Sequence, residues 1–161
     1  MRLAPVVVLL FVTSLSAADL PELRDAAAVK RVVSHSSTPL RALNLWATWC
    51  APCVAEMPDL QKISEDFPRV ELMGVSLDDA LPGSRAENKQ KVLRFLAERK
   101  ISFRNYYFTG RTDEIAEGLR FDGELPVTFI FDAKGRELAR FSGPIDRNQL
   151  AARLETLLQG R

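Results

Sequence analysis

Leu43-Asn44-Leu45-Trp46-Ala47-Thr48-Trp49-Cys50-Ala51-Pro52-Cys53 joins an apolar run of strand character to the chain's only two cysteines, set three positions apart. A disulfide closing so small a loop gains only about 2 kcal/mol from chain entropy, against about 3 for a loop of fifteen residues, so a structural staple is poorly sited here. If a helix opens at this point, Cys50 sits among first-turn N–H groups whose partial positive charge favours a thiolate, and Cys53 lies one turn further along the same face. A Cys50 thiolate can then attack a partner's disulfide. Cys53 resolves the mixed disulfide and leaves the two cysteines bonded to each other. Pro52 is tolerated in the first turn, where its missing N–H had no partner in any case.

Working outward, residues 22–33 are rich in helix formers and residues 34–39 break them, so a helix is expected before the first strand at 40–48. Met57, Leu60 and Ile63 mark the inward face of the helix that follows the cysteines, and Pro58 falls near its middle. Residues 69–77 read as a strand buried on both faces, followed by a polar loop at 78–85. The next helix, 86–100, carries Val92, Phe95 and Leu96 at i, i+3 and i+4, with the run 88–91 as its wet face. An aromatic strand at 103–108, a short helix at 112–119 and a loop at 121–124 come next. Strands at 127–131 and 137–141 flank Asp132-Ala133-Lys134-Gly135-Arg136, which suits a tight antiparallel hairpin with Gly135 at a positive φ. Asp146 caps a last helix striped by Leu150, Leu154 and Leu157 and ended by Gly160. Strands alternating with helices imply parallel crossovers, and the closing hairpin adds antiparallel edges. The expected architecture is α/β, a mixed central sheet with helices on both faces.

The ends and the composition bound the function. Met1-Arg2 followed by an apolar run to Val12, with no acidic side chain before Asp19, has the form of an export signal, and Ser16-Ala17-Ala18 offers a cleavage site after Ala18. Residues 1–18 are therefore expected to be a signal peptide and 19–161 a single domain, near the commonest domain size. Membrane association is expected only if the leader stays uncleaved, since the apolar stretch is shorter than the roughly 20 residues that span a bilayer. The 22 basic and 21 acidic residues are nearly balanced. No clustered basic surface is evident, which argues against nucleic acid as a partner.

Asn44 to Cys53, followed by Glu56-Met57-Pro58, resembles the thioredoxin superfamily, and within it the exported TlpA and ResA type of thiol:disulfide oxidoreductase. Leu125-Pro126-Val127-Thr128-Phe129-Ile130-Phe131-Asp132 resembles the segment that carries the family's cis-proline, and residues 86–108 correspond to the helix-strand insertion of that branch. The resemblance implies a thioredoxin-like fold and a nucleophilic Cys50 with Cys53 resolving. It also implies a cis Pro126 that sets the Leu125 backbone opposite the cysteines to pair with an extended substrate; Glu56, matching an acid of the ResA-like members one helical turn after Cys53, is expected to help deprotonate it, and Trp49, an aromatic beside the nucleophile, and Pro52 are expected to contact substrate. The family's usual N-terminal hairpin is not evident in residues 19–39, and where thioredoxin itself has a buried acid this chain has Asn44.

No organic cofactor is needed for this chemistry. Only the helix terminus favours the Cys50 thiolate, because Trp49, Ala51, Pro52 and Val54 bring no positive charge, so the pair leans towards a reductant. The resemblance points to protein substrates such as apocytochrome c in an exported or periplasmic compartment, recharged by a membrane thiol relay. Binding or delivery of a soft metal such as copper by the same two thiolates is one rival reading, and an interaction domain that presents its groove without turnover is another; zinc would need more ligands than the single His35 provides. Trp46 is expected in the core and Trp49 at the surface.

Overall fold

The computed structural model describes residues 20–34 and 37–160. Its chain order is β1 (Glu22–Leu23), α1 (Ala26–Ser34), β2 (Leu40–Trp46), α2 (Ala51–Asp66), β3 (Val70–Ser76), α3 (Arg85–Glu98), β4 (Arg104–Phe108), α4 (Thr112–Leu119), β5 (Val127–Asp132), β6 (Glu137–Ser142) and α5 (Arg147–Gln159). The strands form one sheet in the order β1-β4-β3-β2-β5-β6. The pairs β1/β4, β4/β3 and β3/β2 are parallel, while β2/β5 and β5/β6 are antiparallel. This is the expected mixed sheet.

The sheet divides two apolar layers, as period-two alternation along a strand requires. Leu40, Ala42 and Trp46 of β2 face one layer together with Met57, Leu60 and Ile63 of α2, Val92 and Leu96 of α3, and Leu150 and Leu154 of α5. Leu43 and Leu45 face the other with Val29 and Val33 of α1, Ile115 and Leu119 of α4, and Phe129 of β5. Burying each of these large side chains contributes about 1.5–3 kcal/mol. Both cysteines belong to the first layer. The insertion α3-β4 places its strand between β1 and β3, widening the sheet on the side away from the hairpin.

Three expectations are corrected. The first helix does not begin at Glu22, because Asp25 caps it: Asp25 Oδ1 accepts from Ala28 N at 2.6 Å and its carbonyl from Val29 N at 3.3 Å. The residues before it are drawn out to the sheet edge instead, with Tyr107 N donating to Pro21 O and Thr109 N to Leu23 O, each at 2.8 Å. Residues 78–85 are not all loop, since Asp78–Ala80 forms a 3-10 turn. Asn88 is not on a wet face; it is buried and its Nδ2 donates to Leu81 O at 3.1 Å, fixing the entry to α3. The leader 1–18, Asp19 and His35 lie outside the described residues, and among those described no helix is long and apolar enough to cross a membrane.

The hairpin turn forms where expected. Gly135 has φ +74°, its N–H donates to Asp132 O at 3.0 Å, and Asp132 Oδ1 accepts from the N–H groups of Lys134 and Arg136.

Candidate active site

β2 ends at Trp46, the chain turns with Cys50 N donating to Ala47 O at 3.2 Å, and α2 starts at Ala51 with Pro52 in its first turn. Cys50 is the N-cap, in extended conformation at φ −90° and ψ 100°. Its Sγ takes the place of a capping oxygen by accepting from Cys53 N at 3.3 Å, and its carbonyl accepts from Val54 N at 3.0 Å. Cys50 and Cys53 are joined by a disulfide across a Cα separation of 5.2 Å. Cys53 is wholly buried and Cys50 is 7% exposed, so Cys50 is the more accessible of the two. When the bond is reduced, an Sγ at Cys50 sits against an N–H and the positive end of a helix, an arrangement that favours its thiolate.

The remaining expected site residues fall around this pair. Trp49 is 52% exposed, and Ala51 and Pro52 are exposed beside it, whereas Trp46 is fully buried with Nε1 donating to Asn105 Oδ1 at 3.1 Å. The Leu125-Pro126 bond is cis. Val127 pairs with Leu45 in the antiparallel register, so Pro126 and Leu125 continue past β2 at the level of Trp46 and Ala47. Leu125 is half-buried and packs against the apolar cluster that holds both cysteines.

Glu56 lies one helical turn after Cys53 and is buried. Oε1 accepts from Asn44 Nδ2 at 2.8 Å, and Oε2 from Ile145 N at 2.9 Å. Asn44 also donates to Thr128 Oγ1 at 3.0 Å, its antiparallel neighbour across the β2/β5 ladder. Burial pushes the Glu56 carboxyl above the ordinary carboxylate range, and the hydrogen bonds from Ile145 and Asn44 only partly oppose it. A buried carboxyl with raised proton affinity, next to the inner cysteine, is equipped to take a proton from it.

Sequence reasoning missed the group on the other side of the turn. Asp78, fully buried, accepts from Thr48 N at 3.1 and 3.2 Å, from the Thr48 hydroxyl, and from Ser76 Oγ at 2.7 Å. The only local signal was an aspartate directly after a strand. Among the described residues no group of three or more His, Cys, Asp or Glu side chains is placed to hold a metal ion.

A mixed sheet whose second strand delivers a Cys-x-x-Cys pair to a helix N-terminus, opposite a cis-proline, defines a thioredoxin-fold protein. The chain belongs to the AhpC/TSA family, whose family model matches residues 21–136. It is 31% identical over 122 residues to the thiol:disulfide interchange protein HelX of Rhodobacter capsulatus, covering 75% of this chain and 62% of that protein. With the thiol-disulfide oxidoreductase ResA of Geobacillus thermodenitrificans it shares 28% identity over 115 residues, covering 71% of this chain and 61% of ResA. The chain thus spans about three fifths of the length of these relatives. Among solved structures, StoA from Bacillus subtilis matches with a TM-score of 0.59 at 24% identity, over 73% of this chain and 83% of StoA. A putative thiol:disulfide interchange protein DsbE from Chlorobium tepidum matches with a TM-score of 0.63 at 19% identity, over 76% and 82% respectively. These likenesses establish the thioredoxin-like fold.

Proposed function

We propose that this protein is a thiol:disulfide oxidoreductase of the cell envelope that reduces disulfides in other proteins. The observation that carries the reading is Cys50 at the mouth of α2, with its Sγ accepting from Cys53 N and bonded to a buried Cys53 one turn away. In the reduced protein the Cys50 thiolate attacks one sulfur of a substrate disulfide; a Cys50–substrate disulfide forms and the substrate's other sulfur leaves as a thiolate. Cys53 gives its proton to Glu56 and attacks Cys50 Sγ. The second substrate sulfur leaves, the substrate has gained two electrons, and the Cys50–Cys53 bond is restored. Trp49, Pro52, Leu125 and Pro126 form the surface on which an extended substrate segment lies, with the Leu125 backbone available for strand-like pairing.

The relatives named for thiol:disulfide interchange support this chemistry. Apocytochrome c is the substrate proposed from the family resemblance, a membrane thiol relay the electron donor, and residues 1–18 the export signal that delivers the domain 19–161 to a periplasmic or otherwise exported site.

The test is insulin reduction by the dithiol form together with its reduction potential. Turnover and a potential well below the roughly −120 mV of a strong oxidant are expected. A potential near that value overturns the reductant direction. Failure to reduce insulin, with tight Cu(I) binding by the same dithiol, would favour the metal reading. The Cys53→Ala protein is expected to accumulate mixed disulfides through Cys50, and their identification names the substrate.

A further inference from the structure

The backbone that presents Cys50 is held from the β3 side by one carboxylate. Leu77 N donates to Trp46 O at 2.9 Å, and Asp78 then receives both the N–H and the hydroxyl of Thr48, with Ser76 Oγ on its second oxygen. All of these contacts are donors to it, the complement of an acceptor-only carboxylate. The charges around it are unequal. Asp79, next along, is answered by Arg85 at 2.9 Å and by the Tyr107 hydroxyl at 3.3 Å, whereas among the described residues no cation pairs with Asp78. Two peptide units separate Thr48 from Cys50, so the Asp78 carboxylate stands within about 11 Å of the nucleophile's backbone by chain geometry alone. The other titratable groups near this region are Glu56, one helical turn after Cys53, Asp79 within the 3-10 turn, and Arg85 and Tyr107, which contact Asp79; burial and then the Asp79 charge keep the Tyr107 phenol protonated.

We propose that Asp78 is a positioning residue of the cysteine pair: it holds the Thr48 turn, and its uncompensated charge raises the proton affinity of the Cys50 thiol against the pull of the helix N-terminus, keeping the pair reducing. The proposal rests on the reading of Cys50 as the nucleophile. With the thiol up to one side-chain length further, at about 11–14 Å, and an effective dielectric of about 20, a full charge shifts its pKa by about one unit.

The measurement is the pH profile of iodoacetamide alkylation of Cys50 in the full chain carrying Cys53→Ser, which reports the thiol directly and needs no substrate turnover. Adding Asp78→Asn, which keeps the acceptor towards Thr48 and removes the charge, is expected to lower the Cys50 pKa by about one unit, or about tenfold in thiolate fraction below it. Adding Thr48→Val instead, which removes a hydroxyl donor and keeps the charge, is expected to leave the profile within a few tenths of a unit. An unchanged profile with Asp78→Asn, or equal shifts in both variants, overturns the proposal. Should Asp78→Asn fail to fold, the parent's own value decides. A Cys50 pKa of about 7 or above, at the high end for a helix N-terminus, supports the charge, and a lower one overturns it. Absence of alkylation at every pH would instead defeat the oxidoreductase reading, and this proposal with it.

Discussion

Asn44 and Glu56 meet beneath the cysteine pair, Nδ2 to Oε1 at 2.8 Å, linking the middle of β2 to the second turn of α2. Ile145, from the segment before α5, closes the other carboxyl oxygen at 2.9 Å. Three elements therefore fix the position of one acid, and an amide takes the place of a second acid beside it. Glu56 is thereby held one helical turn after Cys53, with both carboxyl oxygens hydrogen-bonded.

Glu56→Gln tests both consequences. Because the folded-state pKa of Glu56 is raised above its unfolded value, the protonated form is favoured on folding. Its contribution to stability is fully present below the unfolded pKa and is lost as pH rises through the folded one. Urea unfolding of the wild type should accordingly show stability falling over that window, and the Glu56→Gln protein should lose this slope. Cys53 attack on a preformed Cys50 mixed disulfide should slow by about a hundredfold at neutral pH, the lower range for loss of a general base, followed by stopped-flow release of the second thiol. An unchanged rate across pH would leave Glu56 a purely structural acid.

Trp49 exposes half its surface next to the outer sulfur. Truncation to alanine is expected to change stability by no more than about 0.5 kcal/mol, as for other exposed sites. Efficiency towards a protein disulfide should fall by about tenfold through KM, while reduction of a small aromatic disulfide should be nearly unaffected. Steady-state kinetics with the two substrates separates a docking surface from a chemical role.

Gly74 lies beside Asn44 in the β2/β3 register, and a Cβ there would run into the Asn105 amide and the Trp46 indole nitrogen. Gly74→Ala should therefore break the Trp46–Asn105 hydrogen bond and overfill the layer beneath the active site. The expected loss is about 2–4 kcal/mol, from overpacking together with the broken bond, read by thermal unfolding with tryptophan fluorescence as a second signal.

Asn88→Ala removes the buried amide that satisfies Leu81 O and should cost about 1–2 kcal/mol in denaturant unfolding. Gln90→Ala, two positions along and exposed, should be within about 0.5 kcal/mol of wild type.

The elements that the sequence announces are those whose signals are local. The strand-to-helix junction at Cys50, the α4 helix at 112–119, the Gly135 turn and the Asp146 cap, which receives Gln149 N at 2.9 Å, each carry their cause within a few residues. Where the cause is distant, the reading fails. Glu22–Leu23 is a strand only because β4, some 85 positions away, offers an edge, and two residues carry no period. Arg41 interrupts an apolar strand without any cue that its guanidinium is buried, donating to the carbonyls of Val33 and Asp132. The same holds for the site. Cys50, Cys53, Trp49 and Glu56 are visible from spacing and resemblance, whereas Thr48 and Asp78 lie 30 positions apart in sequence, each just past the C-terminal end of its strand, and become partners only when β2 and β3 align in parallel.

The division of the interior by the sheet separates two heritable properties. Since both sulfurs lie in one apolar layer, substitutions among Val29, Ile115 and Phe129 in the other are expected to change thermal endurance more than the behaviour of the cysteine pair. A lineage moving to a hotter habitat, or an engineer seeking a longer-lived reagent, has an entire half of the hydrophobic interior to rework without disturbing the chemistry.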